Sequence, residues 1–201
     1  RDLRMSRGLG DVYKRQVDSL CPVWGKLYRR SLIQKSGARF VDLAEIGSYE
    51  DGFFNLEVFG KADRVVYLAA YLYHYRRDGS SSVTSGYNPR LYDQWQTLYD
   101  RMEAIIRSNQ LGSEYEAALN NRIALGILGL GLNITVSTQP MGKKVKNIRR
   151  IIRQERYRKA YKNLPLNYFP IHWKLFYGCA RHGFAFGVYV LLTVIQRIIS
   201  R

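Results

Sequence analysis

Cysteine is scarce in this chain of 201 residues, and so are the long apolar runs of membrane-spanning proteins. Cys21 and Cys179 lie far apart, without a metal-binding spacing or a disulfide framework, which excludes a cysteine-stapled fold. A reducing cytoplasm is the default environment for such a chain. The apolar stretch at residues 123–136 has fourteen residues, whereas a span needs about 20, so we predict a buried helix there.

Acidic residues are almost absent from the last third of the chain. The net charge is +16, and residues 140–201 hold fourteen basic residues and a single acid, Glu155, whereas residues 17–139 hold thirteen of each. This distribution is typical of a tail that meets an anionic surface, either a bilayer or a nucleic acid. Nucleic acid is disfavoured because the aromatic residues lie mainly in the neutral middle and no helix-turn-helix, RRM or KH signature is visible.

The first sixteen residues suggest an origin outside the gene. One reverse translation of residues 11–16 resembles the transposase mosaic-end adapter that is used to prepare sequencing libraries. We therefore predict that residues 1–16 are a disordered artefact and that the gene extends upstream of Val17. The alternative is a solvated basic segment.

Residues 17–86 show the mixed pattern of an α/β domain. The apolar residues after Glu50-Asp51-Gly52 predict a short helix that ends near Gly60. Residues 64–69 are rich in β-forming types, and the tyrosines of residues 71–75 alternate with other residues as in a half-buried strand. We predict a strand at each of these two places.

Beyond residue 86 the strand pattern gives way to helical spacing. Glycine and proline breaks separate the predicted helices, which cover residues 89–106, 113–136, 141–162 and 173–199. We therefore divide the chain into residues 1–16, an α/β part at 17–86 and an all-α region at 87–201, mostly helical overall.

Glu50 and Asp51 form the strongest candidate for a chemical site. A carboxylate at a helix N-terminus faces unpaired backbone N–H groups and the positive end of the helix dipole, which keep it ionised. A general base must be ionised at neutral pH. The alternative is that the pair only caps the helix and supplies its first-turn charge. The residues alone leave both readings open.

Five short motifs surround this pair in a fixed order. They are Trp24–Arg30, Arg39-Phe40, Tyr49–Asn55, Tyr73–Arg76 and Ser82–Thr84. Their order and spacing resemble the second half of bacterial family 2 glycosyltransferases, which build capsular and extracellular polysaccharides. The resemblance implies that residues 17–86 are the acceptor-side remnant of a GT-A type, Rossmann-like α/β domain.

The same resemblance implies a role for each acid. Asp51 matches the catalytic base, which takes the proton of an acceptor hydroxyl, and Glu50 would orient the acceptor or hold the loop. The reaction implied is an inverting, hexosyltransferase-like transfer from a nucleotide-sugar donor to a saccharide or lipid-linked acceptor in cell-surface polysaccharide synthesis.

Further residues could bind substrate. Side chains suited to a developing diphosphate charge, with surface solvation as the alternative, are Lys26, Arg76, Ser82 and Thr84. His74 could reach a phosphate or a metal, although a lone histidine on a strand more often packs or hydrogen-bonds. Trp24 could stack on a sugar ring or pack in the core.

The Asp-x-Asp motif through which the family binds its metal does not occur in the sequence. In the family this divalent ion, Mg or Mn, neutralises the diphosphate. We expect the full-length enzyme to use such a metal, with ligands mostly in an upstream half and His74 as the one candidate here. The chain alone is then expected to be inactive.

The C-terminal region predicts contact with a membrane. Residues 141–162 form a basic amphipathic pattern, and residues 184–195 are nearly all apolar but too few to span a bilayer. We expect a cytoplasmic protein, peripheral at the inner face of the cell membrane and in contact with anionic lipid. The alternatives are helices that pack on the catalytic domain, a basic nucleic-acid-binding module, or a membrane-associated helical protein without enzymatic activity.

Overall fold

Helices account for all the regular structure in the part of the chain that the structure describes. The computed structural model describes residues 21–68, Tyr73 and residues 86–199. The helices are α1 (Arg30–Ser36), α2 (Leu43–Ile46), α3 (Glu50–Phe59), α4 (Leu91–Ser108), α5 (Ser113–Thr135), α6 (Met141–Ile152), α7 (Glu155–Asn163), a 3₁₀ turn (Leu166–Tyr168), α8 (Ile171–Arg181) and α9 (Ala185–Ile199).

The absence of strands from the described residues overturns the expected α/β fold class. The predicted GT-A, Rossmann-like remnant is not seen, and residues 64–68, where a strand was expected, are irregular. Val66, Tyr67 and Leu68 are all exposed there. A β-rich segment becomes a strand when a neighbouring strand pairs with it, and the described residues contain no strand to act as partner. Of the alternating tyrosines only Tyr73 is described, and Tyr71 and Tyr75 lie outside the described residues.

The chain divides into two compact units, each with its own core. The first comprises Arg1–Thr84 and Tyr92–Leu119, and the second comprises Ser85–Leu91 and Asn120–Arg201. The domain boundaries expected from the sequence, at residues 16 and 86, stay predictions. Residue 16 lies outside the described residues.

The buried residues of the first unit lie mainly on α3 and α4, and α3 packs against α1. In α3, which was correctly predicted to end near Gly60, Phe53, Phe54, Leu56 and Val58 are buried. In α4 the residues three or four apart along one side are buried, as expected for an amphipathic helix; they are Trp95, Leu98, Tyr99, Met102 and Ile106.

Polar contacts fasten α4 to the segment around α2. The amide of Gln94 donates to the carbonyl of Ala44 at 3.0 Å. The indole N–H of Trp95 donates to the hydroxyl of Ser48 at 3.1 Å. Arg101 and Glu45 form an ion pair. The segment that leads into α3 is therefore fixed on the core of the same unit.

In the second unit, α9 packs against α6 and α8. The inward residues Ala185, Val188 and Leu192 of α9 are buried. A Cβ built on Gly131 would lie 2.4 Å from a methyl carbon of Leu192, so a glycine is needed for this close approach. The guanidinium of Arg181 donates to the carbonyls of Tyr161 and Leu164 near the end of α7, where a cation complements the helix dipole.

Two long helices expected from the sequence are each broken in two. Residues 141–162 form α6 and α7, separated where Gln154 adopts an extended conformation as the N-cap of α7. Residues 173–199 are divided between α8 and α9, because Gly183 has a φ of +73°, which ends the first helix. Apolar periodicity continues across both breaks, which is why the pattern suggested single helices.

The apolar stretch at 123–136 belongs to α5, which begins at Ser113 as predicted and ends at Thr135. Among the described residues, α5 alone, with 23 residues, is long and apolar enough to cross a membrane by length and composition, and 56% of its most apolar window is buried in the fold. Buried core helices meet the same criterion.

Candidate functional site

The acidic pair lies in the first turn of α3, as the sequence predicted. Tyr49 precedes the helix with a left-handed φ of 74°, and Glu50 and Asp51 follow, both partly buried. A β-carbon on Gly52 would lie 2.3 Å from the ring of Tyr49, so only glycine lets this ring lie over the turn. The hydroxyl of Tyr49 is 3.0 Å from the sulfur of Cys21.

Asp51 is held by the chain segment at residues 21–28, which we call the clamp segment. The backbone N–H of Val23 donates to Oδ2 of Asp51 at 3.0 Å. Among the described residues, no hydrogen bond to Oδ1 of Asp51 is seen. The carboxylate is thus fixed through one oxygen while the other can accept a proton.

A buried amide one turn along α3 holds the same segment. Asn55 is 1% exposed. Its Oδ1 accepts a hydrogen bond of 2.6 Å from the hydroxyl of Tyr28, and its Nδ2 donates to the carbonyl of Cys21. Asp51 and Asn55 are four residues apart and therefore share a face of the helix. Together they hold the clamp segment at three points.

Burial and nearby charge shift the pKa values of two residues of the clamp segment, Tyr28 and Lys26. Burial raises the pKa of Tyr28 to about 12, and the negative charge of Asp51 adds to this shift, so the hydroxyl remains a donor at neutral pH. Burial lowers the pKa of Lys26, while Cys21 and Asp51 act in the opposite direction. The ammonium of Lys26 donates to the carbonyl of Pro22. The sequence candidates Lys26 and Asp51 are thus close enough to interact electrostatically.

Trp24 lies on the same segment and is 40% exposed. Its ring stacks on that of Tyr73, with centroids 5.0 Å apart and planes 24° apart. An aromatic partner thus already lies beside this side chain. Binding of a sugar ring by Trp24 stays a prediction.

The remaining candidates cannot be placed at the site. His74, Arg76, Ser82 and Thr84 lie outside the described residues. Within the described ranges no group of three or more His, Cys, Asp or Glu residues could hold a metal ion. The described residues around Asp51 thus offer no such group, and their side chains are suited to proton transfer and charge stabilisation.

Two proteins of Bacillus subtilis (strain 168) are similar to this chain. The first, EpsH, bears the name of a glycosyltransferase and is 32% identical over 127 residues, which are 62% of this chain and 37% of EpsH. The second, EpsJ, is named as an uncharacterised glycosyltransferase and is 30% identical over 157 residues, or 78% of this chain and 44% of EpsJ. The chain thus spans less than half the length of these relatives. The similarity supports a glycosyltransferase.

No family model and no solved structure matches the chain. The glycosyltransferase reading therefore depends on the two relatives and on the residues around Asp51. Sequence analysis proposed the acidic pair, Lys26 and Trp24 as site residues and did not propose Tyr28 and Asn55, which hold the clamp segment. A polar residue at position 55 in an apolar stretch, four residues after Asp51, was the signal that could have indicated Asn55.

Proposed function

We propose that this chain forms the acceptor-side wall of the active site of a family 2 glycosyltransferase. The observation that carries the proposal is the Asp51 carboxylate at the N-terminus of α3, held through Oδ2 by the N–H of Val23. The reaction is an inverting transfer from a nucleotide sugar to a saccharide or lipid-linked acceptor in cell-surface polysaccharide synthesis. The similarity to EpsH and EpsJ supports the transferase class.

In the proposed reaction Asp51 acts as general base. Oδ1 of Asp51, to which no described residue donates a hydrogen bond, takes the proton of an acceptor hydroxyl while the acceptor oxygen attacks the anomeric carbon. The bond from that carbon to the nucleoside diphosphate breaks on the opposite face of the sugar, and the leaving group departs with the bonding electrons. Asp51 is left protonated and returns its proton to solvent. Val23 and Asn55 contribute by fixing the base in position, since positioning can supply much of a rate enhancement.

Lys26 is proposed to stabilise negative charge near the leaving diphosphate. Its partial burial strengthens such an interaction by reducing the screening by water. A divalent cation, Mg or Mn, in the full-length enzyme would require ligands other than the described residues around Asp51. Among protein groups, the proposed proton transfer involves Asp51 alone.

The test is sugar transfer by the full-length gene product carrying Asp51→Asn. Asparagine keeps the size of the side chain and an oxygen for the N–H of Val23, but it cannot take a proton, so turnover should fall by roughly 10²- to 10⁴-fold with nucleotide-sugar binding retained. The matched control is Asp42→Asn. Asp42 also precedes a helix, accepting from the N–H of Ala44 at 2.8 Å, and its replacement should leave turnover within about twofold of the parent, since asparagine also caps helices well.

Two results would contradict the proposal. Turnover by Asp51→Asn near that of the parent enzyme would remove Asp51 from the role of base. An equal loss of turnover in Asp42→Asn would show that both substitutions act through stability rather than through chemistry.

A further inference from the structure

Helix α9 is apolar on two opposite sides. Its inner side is buried in the second unit, as described above. Its outer side presents Phe186, Val190, Val194 and Ile198, which are 42% to 68% exposed. Residues four apart lie on one side of a helix, so these side chains form a continuous stripe. A helix that is apolar all round is normally covered on every side.

Helix α8 and the turn after it extend this stripe. Ile171 and Leu175, again four residues apart, are 80% and 58% exposed, and Phe184 is exposed in the turn. A Cβ on Gly187 would lie 2.5 Å from the ring of Phe184 and 3.1 Å from the sulfur of Cys179, so this side of α8 meets α9 at that point. We call the whole surface the apolar face; it comprises Ile171, Leu175, Phe184, Phe186, Val190, Val194 and Ile198.

The unit that carries the apolar face also carries almost all of the net charge of the chain. It holds sixteen basic residues and one acid, Glu155, out of a total charge of +16. An open groove along α6 illustrates this composition; it is lined by Gly142, Lys143, Lys146, Asn147, Arg149, Arg150 and Arg153. Next to the apolar face itself, Arg197 adjoins Ile198 in the chain and is exposed.

The positive charge of the second unit indicates which kind of partner binds the apolar face. A second copy would bring an equal excess of positive charge, and like charges oppose association. An anionic bilayer surface attracts basic residues, each by about 1 kcal/mol when it lies near the surface, and accepts apolar side chains below its headgroups. Arginine beside an apolar stripe can bury its stem and keep its guanidinium among the headgroups.

The length of α9 determines its orientation at a bilayer. Its 15 residues extend over about 22 Å at 1.5 Å per residue, which is shorter than the hydrocarbon core of about 30 Å. We propose that the second unit docks on an anionic bilayer through the apolar face, with α9 lying in the plane of the interface. This inference does not depend on sugar transfer.

Vesicle flotation of the complete chain tests the proposal. The protein is mixed with vesicles of 30 mol% phosphatidylglycerol in phosphatidylcholine and, separately, with vesicles of phosphatidylcholine alone. We expect flotation with the anionic vesicles, little with the neutral ones, and a decrease as the salt concentration rises. Binding to neutral vesicles of equal strength would overturn the charge argument.

The variant Val190→Ser/Val194→Ser tests the apolar face directly. Both positions are exposed, so folding should be retained, and the loss of apolar carbon should lower the partition coefficient by about tenfold or more. The matched control, Val66→Ser/Leu68→Ser, changes two exposed apolar residues of the first unit and should leave binding unchanged. Arg197→Gln should weaken binding to the anionic vesicles about fivefold.

Three results would overturn the proposal. The first is equal vesicle binding by the parent and Val190→Ser/Val194→Ser. The second is a concentration-dependent dimer in analytical ultracentrifugation that this variant abolishes, which would assign the face to a second copy. The third is salt-sensitive binding to RNA without any binding to anionic vesicles, which would assign the charge to nucleic acid. Circular dichroism of each variant establishes that it is folded.

Discussion

Removal of the Asn55 side chain should release the clamp segment from α3. Asn55 makes two hydrogen bonds with this segment, one with the Tyr28 hydroxyl and one with the Cys21 carbonyl. The alanine variant would lose both bonds and leave two polar groups beside an apolar core. The N–H of Val23 on Asp51 and the contact between the Tyr49 hydroxyl and the Cys21 sulfur would remain.

The magnitude follows from the number of bonds. A hydrogen bond within a protein contributes about 1 kcal/mol net, so Asn55→Ala should cost about 2 kcal/mol, and more if the Cys21 carbonyl finds no water. At about 1.4 kcal/mol per factor of ten, this is a roughly 30-fold rise in the population of the open segment. Tyr28→Phe removes only one bond and should cost about 1 kcal/mol.

Amide hydrogen exchange at Val23, followed by NMR, is the appropriate assay, because it reports opening of the clamp segment rather than unfolding of the whole chain. Asn55→Ala should accelerate exchange at Val23 by about 30-fold and Tyr28→Phe by about fivefold. The control Asn109→Ala removes an asparagine whose amide, among the described residues, bonds only to the nearby carbonyl of Ile105, and it should leave exchange at Val23 unchanged.

A double-mutant cycle then tests the pairing itself. If Tyr28 and Asn55 interact as the 2.6 Å distance indicates, the double variant should be about 1 kcal/mol less destabilised than the sum of the single variants. Strict additivity would refute the bond between them. Unchanged exchange at Val23 in Asn55→Ala would refute the clamp.

Four further substitutions have expected outcomes. Gly52→Ala should lower the free energy of unfolding in urea by about 1–3 kcal/mol because the added methyl displaces the Tyr49 ring. Gly142→Ala, where nothing lies within 4 Å of the added carbon, should raise it by about 0.5–1 kcal/mol. A Gly52→Ala variant more stable than Gly142→Ala would refute the contact with Tyr49. Burial raises the pKa of Glu57 above its unfolded value, so the stability that the protonated carboxyl contributes is lost as pH rises through the folded pKa. Glu57→Gln should therefore have a higher melting temperature than the parent at pH 7 and the same melting temperature near pH 3. An equal difference at the two pH values would show that the ionisation of Glu57 is not the cause. Arg181→Gln removes the hydrogen bonds from a charged guanidinium to two carbonyls near the end of α7. It should lower the free energy of unfolding in urea by about 1.5–3 kcal/mol. An unchanged free energy of unfolding would show that water replaces the guanidinium.

The sequence predicted the local features of the first unit better than its architecture. The helix after Glu50-Asp51 was recognisable because an acidic first turn, an apolar run and a glycine C-cap all lie within about ten residues. The prediction of strands was wrong because a strand depends on pairing with a partner strand, which is often distant in sequence. Residues 64–68 have the composition of a strand, yet they are irregular, and Val66, Tyr67 and Leu68 are exposed.

The site shows the same division between local and distant information. Asp51 was recognisable from its position at a helix start, but Tyr28 and Asn55 are 27 residues apart and meet only in the folded chain. Nothing in the spacing of the sequence indicates that a tyrosine hydroxyl reaches this amide. Contacts of this kind become visible only once α3 and the clamp segment are packed together.

The separation of charge between the two units gives the two proposals different physical bases. The first unit has sixteen basic and fifteen acidic residues, whereas the second has sixteen and one. An acceptor site at Asp51 depends on local geometry, which a nearly neutral surface leaves undisturbed. Docking on a bilayer depends on long-range attraction, which the second unit supplies and salt weakens. High salt should therefore release the protein from vesicles while leaving the hydrogen bonds around Asp51 intact, and salt-induced acceleration of Val23 exchange would contradict this independence.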